Sequence, residues 1–332
     1  MKTLDDDVDR LFRAANPAPK PIVPEPLPAA ARALRESIIR GTVPRARRVR
    51  SRITWAAFAT ASAAVVVGVI VTANILMPSQ QAAALTPPPL TYASAPPLSD
   101  VLADATGALR APGGPRQESR VDSVGWGWSV DMGSKQVEIV PQEISFRWGA
   151  TEPGIATITA GESYWSDNER PDGVDASPYE PGELIDTVIT APDELGLPPA
   201  ARDLSGSSPA DLESALAVFG ATADSSSGEL AAAITGLFGF WTLDDDQHAT
   251  LLTLLDETGD LAVRGTTVDR LGRDVIGLAV SPTIPERQET LFVSVDTGRI
   301  VGVESELTAP LDGLPTGVIS YTMWDAASGS AE

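Results

Sequence analysis

The sequence predicts an α+β protein: a single transmembrane helix, then an ectodomain made of an antiparallel sheet and several helices. Three observations carry that prediction. One stretch of 25 residues has neither charge nor proline. The charge of the chain splits sharply across it. Beyond it, apolar residues recur with period two, then at helical spacing, then with period two again.

The uncharged stretch runs from Ile53 to Met77. At 1.5 Å per residue it reaches roughly 37 Å, enough to cross about 30 Å of hydrocarbon with some tilt. A buried helix of a soluble core would carry polar residues on one face, and this one does not. Arg45, Arg47, Arg48, Arg50 and Arg52 crowd its N-terminal edge, whereas the first basic residue beyond it is Arg110. The excess of positive charge marks the cytoplasmic side, so the N-terminus is expected inside and the C-terminal body outside the cell membrane. Trp55 sits where an interfacial aromatic anchors a span. A cleaved signal peptide has a shorter basic head and a shorter apolar core, although Ala82-Ala83-Ala84 imitates a cleavage site.

Residues 1–52 carry 12 Lys+Arg against six Asp+Glu and read as a cytoplasmic segment, two short helices in a largely disordered tail. Leu4, Val8, Leu11 and Phe12 fall on one helical face, and Leu34 and Ile38 on another, with six prolines between them. Helices this short are marginal alone, so these faces are the candidate contacts for a cytoplasmic partner. Residues 78–97 are rich in proline and alanine and read as a spacer that lifts the body off the membrane.

The extracytoplasmic domain is expected over residues 98–332. Leu98, Val101, Leu102, Ala105 and Leu109 repeat at helical spacing, and Pro112-Gly113-Gly114-Pro115 ends that helix. Val124, Trp126, Trp128, Val130 and Met132 alternate as a strand does, and so do Ile144, Phe146 and Trp148. Residues 155–159 and 162–165 suggest a hairpin around Ala160-Gly161. Connections this short imply antiparallel pairing. Residues 166–183 form an acidic loop. A helical block follows, with helices opening at Ser208-Pro209-Ala210-Asp211, near Glu229, and at Thr242-Leu243-Asp244-Asp245. Residues 261–270, 273–281, 289–296, 299–307 and 317–324 return to strands, with Asp296-Thr297-Gly298-Arg299 as a hairpin turn. Leu291, Val293 and Val295 are expected on one face, with Val301 and Val303 opposite them.

The composition excludes much chemistry. The chain has 332 residues and a net charge of −21, and residues 78–332 alone carry 39 acidic against 12 basic residues, which disfavours nucleic acid as a partner. With no cysteine there is no disulfide, thiol nucleophile or Cys-ligated metal. His248 is the only histidine. It follows three aspartates that favour its charged form, and it is expected as an exposed structural residue. No nucleophile elbow, phosphate loop or dinucleotide fingerprint occurs, so no catalytic residue, metal ligand or cofactor is assigned. The acidic loop holds Asp167, Glu169, Asp172, Asp175, Glu180 and Glu183, but Pro171 breaks calcium-loop spacing, and the cluster reads as solvated. Six of the seven tryptophans lie in the ectodomain. Trp126, Trp128 and Trp148 read first as sheet core. Their sharper reading is an apolar face for a lipid or hydrophobic peptide.

The head VDRLFRAANPAP (8–19), the helix ARALRESIIR (31–40) and the closing stretches LDETGDLAVRGTTVDRLGRDVIGLAV (255–280) and LFVSVDTGRIVGVES (291–305) resemble a family of uncharacterised actinobacterial single-pass membrane proteins. These are often encoded beside extracytoplasmic-function sigma factors. The resemblance implies an ectodomain with the curved antiparallel sheet and covering helices of lipoprotein carriers and periplasmic stress sensors. It also implies a non-enzymatic role as an envelope sensor or sigma-factor-associated regulator. The cytoplasmic segment departs from zinc-dependent anti-sigma factors in having no His or Cys. Two alternatives stand beside that role: a membrane-anchored lipid or lipoprotein carrier, and an anchored carboxylate-dependent hydrolase. The partners expected are the lipid bilayer, a cytoplasmic regulator such as a sigma factor, and an external lipid or peptide.

Overall fold

The computed structural model describes residues 86–127, 136–165, 170, 174–311 and 316–325. The span 53–77 with its flanking arginines, the apolar faces of residues 1–52, and Trp128 lie outside the described residues. No helix among the described residues is long and apolar enough to cross a membrane.

The described chain is α+β. It opens with α1 (Leu98–Leu109), then β1 (Arg120–Gly127), β2 (Gln136–Val137), β3 (Gln142–Arg147), β4 (Gly154–Ala160), β5 (Val174–Asp175) and β6 (Leu184–Thr190). Four helices follow: α2 (Pro199–Arg202), α3 (Pro209–Ala217), α4 (Ser227–Phe238) and α5 (Asp245–Glu257). The chain closes with β7 (Ala262–Val268), β8 (Asp274–Ala279), β9 (Arg287–Ser294), β10 (Ile300–Leu307) and β11 (Gly317–Trp324).

Nine strands form one sheet in the order β6-β4-β3-β1-β11-β10-β9-β8-β7, every neighbouring pair antiparallel. Two meanders are joined where β1 pairs with β11. The chain therefore leaves the sheet at one edge, β6, and re-enters at the other, β7. At ~4.8 Å per strand, that return crosses roughly 38 Å. Helices α2 to α5 make it, and so the sheet acquires a helical layer on one face.

Side-chain parity then divides the core in two. On the helical face Leu212, Leu216, Ile234, Leu237, Leu251 and Leu255 pack on Phe146, Leu278, Leu291 and Val293. The helices owe their ends to sequence. Ser208 with Asp211, Ser226 with Glu229, and Asp244 with Gln247 each form a reciprocal capping box. The third cap lies two residues beyond the expected Thr242, because Thr242 instead exchanges backbone hydrogen bonds with Glu118. On the second face a smaller cluster gathers Trp126, Val275, Phe292, Val301, Val318, Tyr321 and Met323.

Several expectations are corrected. Residues 162–165 are not a strand. Strand β4 pairs instead with β3 and with β6, whose Leu184–Thr190 stretch the sequence reading passed over because Asp186 and Thr187 interrupt its apolar pattern. Val301 does not pair across from Leu291. A bulge between Ile300 and Gly302 sends it into the second core, while Val303 stays opposite Leu291. Val295 is 49% exposed, in the turn after β9. The turn Asp296–Arg299 is as expected: Gly298 holds φ 73°, and a Cβ there would strike the backbone of Ala105 in α1.

Candidate functional site

The residues that stand out chemically lie on the second face, under a strap formed by residues 86–97. Composition suggested a free spacer here, but the chain is laid on the sheet. Five prolines keep the strap extended and remove five of its twelve backbone donors. The Ala93 N–H donates to the Thr266 carbonyl at 2.8 Å, and the Thr267 hydroxyl donates to the Thr91 carbonyl at 2.9 Å. Leu90 and Tyr92 pack into the second core. The sheet makes room with glycine. Gly265 has φ 132°, and a Cβ there would collide with the Ala93 carbonyl oxygen. A Cβ on Gly277 would stand 2.7 Å from the Tyr92 ring.

Beneath the strap lies a charged cluster, buried at the side chains of Arg270 and Glu304 and partly open at Arg264 and Glu306. The Arg264 guanidinium stacks 4.3 Å over the Tyr92 ring. It also donates to Glu306 Oε2 at 2.5 Å and to Thr290 Oγ1 at 2.9 Å. Arg270, held by the β7–β8 turn, donates from Nε to Glu304 Oε2 at 2.8 Å and sits 5.6 Å from the centre of the Tyr321 ring. That turn is fixed by Asp269, which accepts from the Leu271 and Arg273 amides at 2.8 and 3.0 Å. Tyr321 stacks on Trp126, with ring centres 6.4 Å apart, and its hydroxyl hydrogen-bonds that of Tyr164.

Glu304 is the unusual member. It is 1% exposed, and its second oxygen, Oε1, has no hydrogen-bond partner. Burial pushes its carboxyl up to about 7, with Arg270 opposing the shift only in part. Burial likewise raises the Tyr92 hydroxyl to about 12, and it raises Tyr164 and Tyr321 as well. Titratable groups displaced together by burial and specific partners make this cluster a candidate functional site.

A second concavity, about 590 Å³, opens where the helical layer meets the ends of β1, β3 and β4. Arg120, Arg147, Glu152, Ile155, Trp148 and Trp241 line it. The two indoles meet edge to face, with centres 4.8 Å apart. Their N–H groups are already donated to the Phe240 and Ala201 carbonyls. What the cleft offers is ring surface and guanidinium groups in a fixed frame.

The structure separates the sequence-predicted tryptophans. Trp126 is buried in the second core and Trp148 in the helical core, so the two do not share a face. His248 is corrected from exposed to buried, 2% accessible. Its helix turns it inward, where Nδ1 accepts from the Ile300 amide at 3.1 Å and the ring packs on Phe238. Burial first, and the Arg299 guanidinium second, hold its pKa well below 6.5, so the ring is neutral. Two of the three aspartates expected to charge it are engaged elsewhere: Asp245 accepts from Arg299 at 2.7 Å, and Asp244 caps α5. In the acidic loop, Glu183 Oε2 accepts from the Glu180 amide at 3.0 Å. No group of residues able to hold a metal ion occurs among the described residues.

Sequence reasoning missed Tyr92, Arg264, Arg270, Glu304 and Glu306. The available signal was a pair of glutamates inside an otherwise apolar strand, VGVESEL. It becomes informative once β10 is known to be an inner strand with both faces covered.

No family model and no curated protein matches the chain. Among solved structures, a DUF1329 family protein from Desulfovibrio piger is similar at 12% identity over 69% of this chain and 92% of that one, with a TM-score of 0.20, a likeness too slight to carry an argument.

Proposed function

We propose that this protein is a non-enzymatic, single-pass envelope sensor: a short cytoplasmic segment, a membrane span over 53–77, and an extracytoplasmic domain that reads a ligand. One observation supports this above the others. Residues 86–97, which follow the proposed span in sequence, are laid on the sheet as the strap, with Leu90 and Tyr92 in the second core. Any change in how the domain holds the strap is a change at the membrane end of the chain. The basic flank and uncharged span agree with that arrangement. The cytoplasmic output runs through the apolar faces Leu4, Val8, Leu11, Phe12 and Leu34, Ile38 to a regulator such as a sigma factor.

The test is crosslinking and capture in cells, comparing the full chain with the Leu11→Asp/Ile38→Asp double variant. Capture of a sigma factor or other regulator by the unmodified chain, lost in the variant, is the expected result. Equal capture by both, or none by either, would reduce the cytoplasmic segment to a topological tail and overturn the regulatory role.

A further inference from the structure

The strap occupies its groove in the manner of a bound peptide. It is extended, it presents an aliphatic and then an aromatic residue to the second core, and it adds one backbone hydrogen bond to the edge strand β7. Extended segments held by side-chain anchors and main-chain bonds are a recurring mode of peptide recognition. Its hold on β7 is light. One backbone amide and one carbonyl of the strap are bonded to β7, and Pro88, Pro89, Thr91, Ala93, Ser94 and Ala95 are exposed, while Thr86 and Pro87 at its start are buried. The receiving surface, by contrast, is specialised. Gly265 and Gly277 stand where any Cβ would meet Ala93 or Tyr92. Arg264 is held by Glu306 and Thr290 in position to face an aromatic ring.

We infer that the groove along β7, β8 and β9 is a receptor for an extended external polypeptide of the strap's own chemistry, proline-flanked with Leu-x-Tyr spacing, and that the strap is its tethered competitor. An arriving segment takes the Leu90 and Tyr92 positions and the Thr266 carbonyl, and the strap is released toward the membrane. A tethered occupant is present at high effective concentration, so an incoming peptide binds weakly until the strap is weakened or the peptide is abundant. The inference deepens the sensor role by naming its ligand class and rests on it for the consequence of strap release. The binding itself is measured on the ectodomain side, independently of cytoplasmic capture.

The experiment uses the full chain in lipid nanodiscs and a fluorescein-labelled peptide of residues 86–97, TPPPLTYASAPP. Two proteins are compared: the unmodified chain and one in which residues 86–97 are replaced by Gly-Ser repeats of equal length. Saturable binding at least tenfold tighter to the replaced chain is expected. Substitution of the tyrosine in the peptide by alanine should abolish it. Four results would overturn the inference. The replaced chain could keep its near-ultraviolet circular dichroism yet bind nothing. It could unfold, making the strap a structural strand. The alanine peptide could bind equally. Finally, the unmodified chain could form concentration-dependent dimers by exchanging straps, making a second copy the occupant.

Discussion

The two faces of the sheet are covered in different ways. The helical face is sealed by α3, α4 and α5, each closed by a capping box, over leucines and isoleucines that are entirely buried. Full burial of each such side chain is worth about 1.5–3 kcal/mol, and the buried Arg299 beside α5 is paired with Asp245 and Asp325. The second face is covered by a twelve-residue strap and loops. Its core is small and shares space with Arg264, Arg270, Glu304 and Glu306. Buried ion pairs contribute little net stability, because desolvation offsets their attraction. One face therefore holds the domain together, and the other is smaller and more polar.

That contrast can be broken at its strong side first. Leu251→Ala in α5 removes a fully buried side chain and should cost about 2–5 kcal/mol in urea unfolding. A loss under about 1 kcal/mol would show that the helical layer is not the main support.

On the polar face, Glu304 gives a pH dependence of definite sign. Its folded pKa, about 7, lies above the ordinary 4.5, so folding favours the protonated form. Stability from this group is complete below 4.5, falls as pH rises toward 7 and is level above that. At 1.36 kcal/mol per unit the fall is about 3 kcal/mol. His248 acts oppositely: its pKa is depressed, so its stabilisation is present above 6.5 and is lost below that. Comparison with Glu304→Gln isolates the first group. The difference between wild type and variant should change across pH 4.5 to 7, and a constant difference would remove Glu304 from the account.

Gly265→Ala places a Cβ against the Ala93 carbonyl at φ 132°, with an expected cost of about 1–3 kcal/mol, read as lost protection of the Ala93 amide. Unchanged protection would mean that the strap adjusts without cost. The smallest effect belongs to Ser226→Ala, where loss of the α4 cap should cost about 1 kcal/mol of global stability and leave strap protection relative to the core untouched.

The same contrast explains what was legible in the sequence. The helical face announces itself. Ser208-Pro209-Ala210-Asp211 names its own N-terminus, and the closing strands 262–324 follow period-two patterns between turn residues such as Gly298. The second face depends on contacts distant in sequence. Tyr92 meets Arg264, and Tyr164 meets Tyr321, across more than 150 residues of chain. Proline-rich composition described the stiffness of residues 86–97 correctly but not their docking, since Gly265 and Gly277 look like ordinary strand glycines until the strap is placed on them. His248 misled for a related reason. Its neighbours in sequence are acidic, but its neighbours in space are Phe238, Ile300 and Arg299.

The most direct test is amide hydrogen exchange on the full chain. The Ala93 N–H and the amides of β7 should exchange through a local opening, orders of magnitude faster than those of β9, β10 and α5, which should exchange only with global unfolding. Equal protection of Ala93 and α5 would contradict the account, because the strap would then be as fixed as the core it crosses.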